Sequence, residues 1–168
     1  MAEDDAEFDP GSFPLVVHGR QYEDFSDEQV LVHHWGRTIT EADNVAFSTA
    51  TCNWNPMHLN AVFAEAHGHP DVVVNPMLVL CTAVGLSVED LSEAGGPFLG
   101  VDEATFHRPV HPGDTITATS TVLNRRESAS RPATGIVTWC TEVHNQRGEL
   151  VLEYRRTNLV ARAAQAAR

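Results

Sequence analysis

Residues 73–86 read VVNPMLVLCTAVGL and contain the clearest helix signal of the chain. Asn75 is a favoured helix N-cap, and Pro76 suits the first helical position because an N–H there has no intrahelical partner. From Met77 to Leu86 the side chains are almost continuously apolar. A helix that is apolar on all sides is buried, and a β-sheet is the expected wrapper. The apolar stretch is too short and too interrupted to span a bilayer, which takes about 20 residues.

Strand-like segments lie on both sides of this helix. Gln29–Thr38 is rich in strand-forming residues and alternates partly between apolar and polar positions. After the Gly95-Gly96-Pro97 breaker, turn-rich sequences separate four further predicted strands, Phe98–Phe106, Thr115–Leu123, Gly135–Val143 and Glu149–Val160. One strand, a buried helix and four meandering strands predict an antiparallel sheet curled around the helix, which is an α+β fold.

Two short helices are predicted between the first strand and the apolar helix. Thr40 is a natural N-cap with Asp43 three residues further on, a variant of the capping box. Val45, Ala46 and Thr49 then recur at helical spacing. Leu59–His67 predicts a second helical piece, which Gly68 and Pro70 end.

Length and charge limit the classes of function. The chain has 168 residues, close to one compact domain, and we expect residues 1–12 to form an acidic flexible tail and residues 13–168 a single domain. The net charge of −12 argues against partners such as nucleic acid or an anionic membrane. All eleven basic residues are arginines, and the absence of lysine excludes pyridoxal-phosphate chemistry and a Walker-type phosphate loop.

The cysteines and histidines do not indicate a metal site. Cys52, Cys81 and Cys140 are far apart and form no C-x-x-C pair, and the nine histidines lack the spacing of zinc ligands. An odd number of cysteines fits a reducing cytoplasm, where we expect them to be small buried apolar residues. The acidic N-terminus is unlike a targeting peptide, so the predicted location is cytoplasmic.

The segment NWNPMH, residues 53–58, is the first candidate for chemistry. Pro56 cannot continue the preceding helix, and loops between rigid elements are where binding groups concentrate. Imidazole as a chemical group suits general acid/base work, because it can both take and give a proton, and His58 supplies one in this segment. The alternative is a simple capping turn in which Asn53 and Asn55 bond to their own backbone. Composition alone leaves both interpretations open.

The N-terminus of the apolar helix is the second candidate. Free backbone N–H groups and the positive end of the helix dipole suit a developing oxyanion there. Pro76 has no N–H, so the donors must be Met77, its successor, or Asn75. The alternative is an ordinary helix cap.

These segments resemble the MaoC-like dehydratases, a family of hot-dog-fold enoyl-thioester hydratases. The resemblance covers about residues 28–162. It rests on RTITEADNVAFSTAT and NWNPMHLNAVFAEA, which match the family's hydratase segment, and on PVHPGDTITATSTV, which matches the opening of a strand. The branch of mesaconyl-CoA hydratases (β-methylmalyl-CoA dehydratases) is the most similar in VVNPMLVLCTAVGLSVEDLSE, RRESASRPATGIVTW and NQRGELVLEYRRTNLVAR.

Two positions depart from the family pattern. The family's catalytic aspartate falls on Asn53, five residues before the matching His58. A carboxamide cannot act as a base, although it can orient water or bond a substrate oxygen. The usual His-Gly opening of the central helix is Asn75-Pro76 here, so a glycine N–H is missing from the oxyanion hole. These departures are consistent with altered substrate geometry or with loss of hydratase activity.

The resemblance implies a hydro-lyase that reversibly hydrates a short 2-enoyl-CoA, branched or dicarboxylic like mesaconyl-CoA, without a cofactor. His58 would be the main acid/base, Asn53 would hold the attacking water or His58, and Asn55 would support the turn. The thioester carbonyl would bind at the helix N-terminus formed by Asn75, Pro76 and Met77, with Trp54 and Arg131 as further substrate contacts.

A second carboxylate on the substrate would need a cation. The candidates are Arg37, Arg108 and Arg131, because arginine grips carboxylates and phosphates with two parallel hydrogen bonds. The stretch Arg125–Arg131 is a candidate for the CoA phosphates, and a solvated hairpin is an equally good interpretation of it.

The hot-dog resemblance is compatible with two other functions, and the exposed sheet edge indicates an oligomer. A hot-dog thioesterase would use a carboxylate near the helix, with Asp43 or Glu65 as candidates. A non-catalytic acyl-CoA-binding subunit would follow if Asn53 has silenced the site. An exposed sheet edge calls for a partner, and hot-dog relatives form dimers through a continuous sheet, so we expect a homodimer or higher homo-oligomer.

Overall fold

A computed structural model describes residues 18–163, and its largest element is one antiparallel sheet. The strand order is β1-β3-β4-β5-β2, and all neighbouring strands are antiparallel. The five strands are β1 (Val30–Thr38), β2 (Phe98–Phe106), β3 (Thr115–Glu127), β4 (Thr134–Asn145) and β5 (Leu150–Ala161). This is the predicted hot-dog arrangement. The expected tail at residues 1–12 lies outside the described residues.

The helices lie before and between these strands. They are α1 (Glu41–Ala50), α2 (Ala61–Ala66), α3 (Pro76–Leu86) and α4 (Val88–Leu91). Within residues 18–163, no helix combines the length and the apolar character needed to cross a membrane. The apolar helix predicted from the sequence is α3, which has the expected Asn75 N-cap and Pro76 in its first turn.

Helix α3 packs on the sheet through one face rather than through all of its surface. Val79, Leu80 and Ala83 are buried in a core that the inner faces of β3, β4 and β5 complete. Met77, Cys81 and Gly85 follow each other at intervals of four residues and form an exposed stripe. The prediction of burial on all sides is wrong, because the sheet covers only one side of the helix.

The cysteines are also less buried than expected. Cys52 and Cys81 are exposed, and Cys140 is partly exposed. Cys81 lies on the open stripe of α3, and Cys52 occupies the turn after α1 with a left-handed φ of 56°. The expectation that all three are core residues is therefore wrong.

Helix α1 begins at the predicted capping box but buries an unexpected face. Thr40 and Asp43 bond reciprocally, as the sequence indicates. The buried residues of the helix are the polar Asn44 and Ser48, whereas Val45 is exposed. A helix that buries its polar side chains must satisfy their hydrogen bonds, so this face needs specific partners.

The hairpin between β3 and β4 is longer than predicted, and this changes the role of Arg125. The strand continues through Arg125 to Glu127. The guanidinium of Arg125 donates to the carbonyls of Tyr22 and Phe25 and lies 5.0 Å from the centroid of the Tyr22 ring. These contacts hold Arg125 against the N-terminal segment rather than presenting it to a CoA phosphate.

Two adjacent glycines before β2 differ in how closely their backbone approaches β5. Gly95 and Gly96 both have positive φ, at 90° and 135°. A Cβ added to Gly96 would overlap the carbonyl oxygen of Leu159, whereas a Cβ on Gly95 would meet open space. We therefore expect Gly96→Ala to lose about 1–3 kcal/mol more unfolding free energy than Gly95→Ala.

Urea unfolding of the two glycine variants measures this difference. Both substitutions strain a left-handed backbone, so Gly95→Ala is the matched control for strain alone. Equal losses would show that the approach of residue 96 to β5 does not limit packing.

Candidate active site

The NWNPMH turn places His58 in the protein interior. Asn55 caps a short 3-10 helix, Pro56–His58, by accepting the Met57 N–H at 3.0 Å. Proline in the first turn fixes the entry of this helix, and His58 at its end is 7% exposed. The capping function of Asn55 is confirmed, and it serves to aim His58 inward.

The hydrogen bond of His58 determines which ring nitrogen can act as a base. Nδ1 lies 2.8 Å from the backbone carbonyl oxygen of Val73. A carbonyl can only accept, so Nδ1 carries the hydrogen, and the neutral ring keeps its lone pair on Nε2. Nε2 is therefore the atom able to take a proton from water.

His58 and the start of α3 line the same cavity. Its volume is about 280 Å³. The lining includes His58, Pro76 and Val79 on one side and the segment Phe106–Val110 with Val151 on the other. Pro76, in the first turn of α3, is the part of the helix start that lines this cavity together with His58.

A residue that the sequence analysis did not select joins these two parts of the site. Asn44 in α1 is fully buried. Its Nδ2 donates to the carbonyl of His58 at 2.9 Å, and its Oδ1 accepts the N–H of Asn75 at 2.8 Å. Ser48, one turn later, accepts a 3.3 Å hydrogen bond from Nδ2 of Asn75. The sequence signal that could have indicated Asn44 and Ser48 was a pair of polar residues spaced by four on a short predicted helix.

The leading amides of α3 are not free, which corrects the expected oxyanion site. The N–H of Asn75 is bound to Asn44, and that of Met77 donates to Oδ1 of Asn75 at 3.0 Å. The N–H of Leu78 donates to the Asn75 carbonyl at 2.9 Å. A thioester carbonyl reaches the Met77 N–H only when the Asn75 side chain rotates away. The positive end of the helix dipole acts on the cavity in either state.

Several other predicted contacts do not line the His58 cavity. Oδ1 of Asn53 accepts the N–H of Asn55 at 3.3 Å, so this oxygen is used within the turn. Trp54 is 65% exposed and Met77 is 49% exposed. Arg131 is exposed in the β3–β4 connection, where its N–H donates to Ser128. The role of Asn53 in holding water therefore stays a prediction.

Arg108 is the candidate cation that lines the His58 cavity. Its nearest carboxylate is that of Glu149, at 3.9 Å, and its side chain is well exposed. Arg37 instead bonds Asp43 at 2.8 Å beside a different cavity of about 410 Å³. Arg108 therefore lies at the rim of the His58 cavity, where solvated anions are accessible.

The carboxylates required by a thioesterase are elsewhere. Asp43 is engaged by Thr40 and Arg37, and hydrogen bonds from the Thr40 hydroxyl and backbone hold the pKa of this carboxyl below its usual range. Glu65 is exposed on α2. Neither residue lines the cavity that contains His58.

A second histidine has the partners of a hydrolytic triad but no access to substrate. Nδ1 of His33 lies 2.7 Å from Asp90, and Nε2 lies 2.8 Å from the hydroxyl of Ser120. Ser120 is fully buried and also bonds Thr141 at 2.8 Å. This network is a core connection between β1, β3 and α4, because no acyl group can approach the serine oxygen.

Comparison with known proteins shows the family to which this chain belongs. The profile of the mesaconyl-CoA hydratase family matches residues 16–168. The chain belongs to the mesaconyl-CoA hydratase family. A mesaconyl-CoA hydratase from Haloarcula marismortui is 39% identical over 150 residues, which cover 89% of this chain and 42% of that protein. The chain thus spans about two-fifths of the length of that relative.

Two other similar proteins extend the comparison. An (R)-specific enoyl-CoA hydratase from Aeromonas caviae is 32% identical, with 66% of this chain and 78% of that protein covered. A MaoC-domain dehydratase structure from Chloroflexus aurantiacus superposes with a TM-score of 0.84 at 30% identity, covering 93% of this chain and 44% of that one. The Chloroflexus protein therefore shares the sheet-and-helix architecture described above.

Proposed function

We propose that this chain reversibly hydrates the double bond of a short 2-enoyl-CoA, with a branched dicarboxylic acyl group such as mesaconyl. One observation carries the proposal, namely that Nε2 of His58 and the positive end of α3 act on the same cavity. An acid/base beside a site for an anionic oxygen is what addition of water to a conjugated thioester requires.

The proposed reaction uses a single imidazole for both proton transfers. Nε2 of His58 takes a proton from water while the hydroxyl oxygen bonds to C3, and the C2–C3 π electrons move toward the thioester carbonyl. The enolate oxygen is stabilised by the positive end of α3. The imidazolium then gives its Nε2 proton to C2. The Nδ1–H bond to Val73 keeps the ring oriented throughout.

Arg108 is a cation at the rim of the His58 cavity and could bind an anionic part of the substrate. Arg108 lines the cavity and its side chain is exposed. We assign it to the CoA phosphates, because those groups stay in water while the acyl group is enclosed. The absence of a cofactor and the cytoplasmic location stay predictions.

A homodimer is part of the proposal. β2 is an edge strand, and no strand of the described chain pairs with its outer side. Phe98, Leu99 and Phe106 on this strand are all more than two-fifths exposed. Pairing of two β2 edges would extend the sheet, cover these side chains and enclose the mouth of the His58 cavity.

A substrate panel tests the function. Mesaconyl-CoA and crotonyl-CoA are incubated with the protein, and mass spectrometry and a thiol reagent report gain of water and release of CoA. We expect gain of water, with faster turnover of mesaconyl-CoA and no free thiol. Thiol release would indicate the thioesterase, and tight binding without turnover would indicate the non-catalytic subunit.

A further inference from the structure

The turn between β4 and β5 carries an ion pair close to the rim of the His58 cavity. Arg147 donates from Nε to Oε2 of Glu149 at 2.8 Å and from Nη1 to Oδ1 of Asp114 at 3.2 Å. Asn145 holds the same turn, because its Nδ2 donates to Oε2 of Glu149 at 2.8 Å and its Oδ1 accepts the N–H groups of Arg147 and Glu149. Two side-chain donors therefore fix one oxygen of the Glu149 carboxylate.

Arg108, at the rim of the cavity, faces the other oxygen of this carboxylate. Its Nη1 lies 3.9 Å from Oε1 of Glu149, which is too long for a hydrogen bond. No group among residues 18–163 accepts a hydrogen bond from the guanidinium of Arg108. Its five N–H donors are therefore available to an anion that enters the cavity.

Two arginines thus compete for one carboxylate, and Arg147 has the closer contact. Hydrogen bonds from Asn145 and Arg147 hold the pKa of the Glu149 carboxyl below its usual range, so this group is negatively charged at neutral pH. The side chains of Arg108 and Glu149 are 59% and 36% exposed, and a movement of roughly 1 Å would bring them to hydrogen-bond distance. Without Arg147, Glu149 would therefore be free to pair with Arg108.

We propose that Arg147 is a positioning residue for the CoA part of the substrate, because it occupies Glu149 and leaves Arg108 free to bind a CoA phosphate. This inference rests on the proposed function, which assigns Arg108 to those phosphates. Asp114, a carboxylate that is only 6% exposed, holds Arg147 from its other side. Arg147 therefore stays with the turn, and Glu149 competes with the phosphate for Arg108.

Binding of CoA itself measures this competition without any turnover. Isothermal titration gives the Kd of CoA for each variant at one low ionic strength, because salt screens exposed ion pairs. We expect Arg147→Gln to raise Kd about two- to fivefold and Glu149→Gln to lower it by a similar factor, the range that an exposed ion pair contributes. A Kd that moves in the same direction in both variants, or in neither, would overturn the proposal.

The double variant shows whether Arg147 acts through Glu149. Once Glu149 is replaced by Gln, the further change Arg147→Gln should alter the Kd of CoA by less than about 1.5-fold, because the competing carboxylate is already absent. Arg147→Lys should keep a Kd close to that of the wild type, since an ammonium group still pairs with Glu149. An undiminished effect of Arg147→Gln in the double variant would show direct phosphate contact and overturn the positioning role.

Glu142→Gln is the matched control for removal of a negative charge. Glu142 is exposed on β4 and forms no ion pair among residues 18–163, so this variant should leave the Kd of CoA unchanged. A decrease equal to that of Glu149→Gln would assign the effect to net charge and overturn the proposal.

A truncated substrate separates phosphate binding from the chemical step. Mesaconyl-pantetheine lacks the phosphates of mesaconyl-CoA but carries the same acyl thioester. Arg147→Gln should raise KM for mesaconyl-CoA with little change in kcat, and it should leave both constants unchanged for mesaconyl-pantetheine. Equal increases of KM for both substrates would overturn the proposal. Wild-type protein that binds CoA but hydrates neither thioester would refute the proposed function, whereas the Kd values would still decide this inference.

Discussion

Replacement of His58 by alanine is expected to lower kcat for enoyl-CoA hydration by about 10²–10⁴-fold, the usual contribution of a positioned acid/base. The variant removes the Nε2 lone pair from the 280 Å³ cavity while leaving α3 and its dipole in place. Loss of the Nδ1 hydrogen bond leaves the Val73 carbonyl unpaired, which costs about 1–3 kcal/mol of unfolding free energy. Steady-state kinetics and urea unfolding measure the two effects separately.

His67 provides the matched control for this substitution. Its Nδ1 also donates to a backbone carbonyl, that of Phe63 at 2.7 Å, but the residue is exposed and does not line the cavity. His67→Ala should keep wild-type kcat. A His58→Ala protein that folds and turns over at the wild-type rate would remove His58 from the mechanism.

Asn44→Ala should have the second largest effect, on stability and on rate together. The substitution leaves two buried groups without partners, the carbonyl of His58 and the N–H of Asn75. Each unpaired buried group costs roughly 1–3 kcal/mol, so unfolding free energy should fall by about 2–5 kcal/mol. kcat should fall by about tenfold or more, because the imidazole and α3 are no longer held in one geometry.

A positioning role for Asn44 differs from a purely structural one in its kinetics. The assay is run at a temperature where the variant is fully folded, and kcat should fall with little change in KM. Thr49→Ala is the control on the exposed face of α1 and should retain both stability and rate. A destabilised variant with normal kcat would show that Asn44 only supports packing.

Much of the fold followed from local patterns. The N-cap and proline at Asn75-Pro76 and the apolar run after them predicted α3 to within one residue. The spacing of turn residues predicted the last four strands, although β3 and β4 extend one to four residues further than expected and β5 is shifted by one residue. Local signals work here because capping, proline geometry and strand alternation depend on near neighbours in the chain.

The candidate site was predicted only in part, because its contacts join residues that are far apart in the chain. His58 and its turn are visible as a motif, yet its tautomer depends on Val73, 15 residues away. The N–H of Asn75 is bound by Asn44, which lies 31 residues earlier in the chain. Polar residues on a short helix do not indicate such a distant partner. These contacts exist only after the elements have packed.

The sequence by itself determined the apolar helix and the five strands and indicated His58 as a candidate acid/base, because each is encoded within a few consecutive residues. Only the tertiary structure decided that Nε2 is the basic atom of His58 and that the leading amides of α3 are already bonded. The reason is physical. Hydrogen-bond partners and burial are properties of packed surfaces, and residues far apart in the chain create those surfaces together.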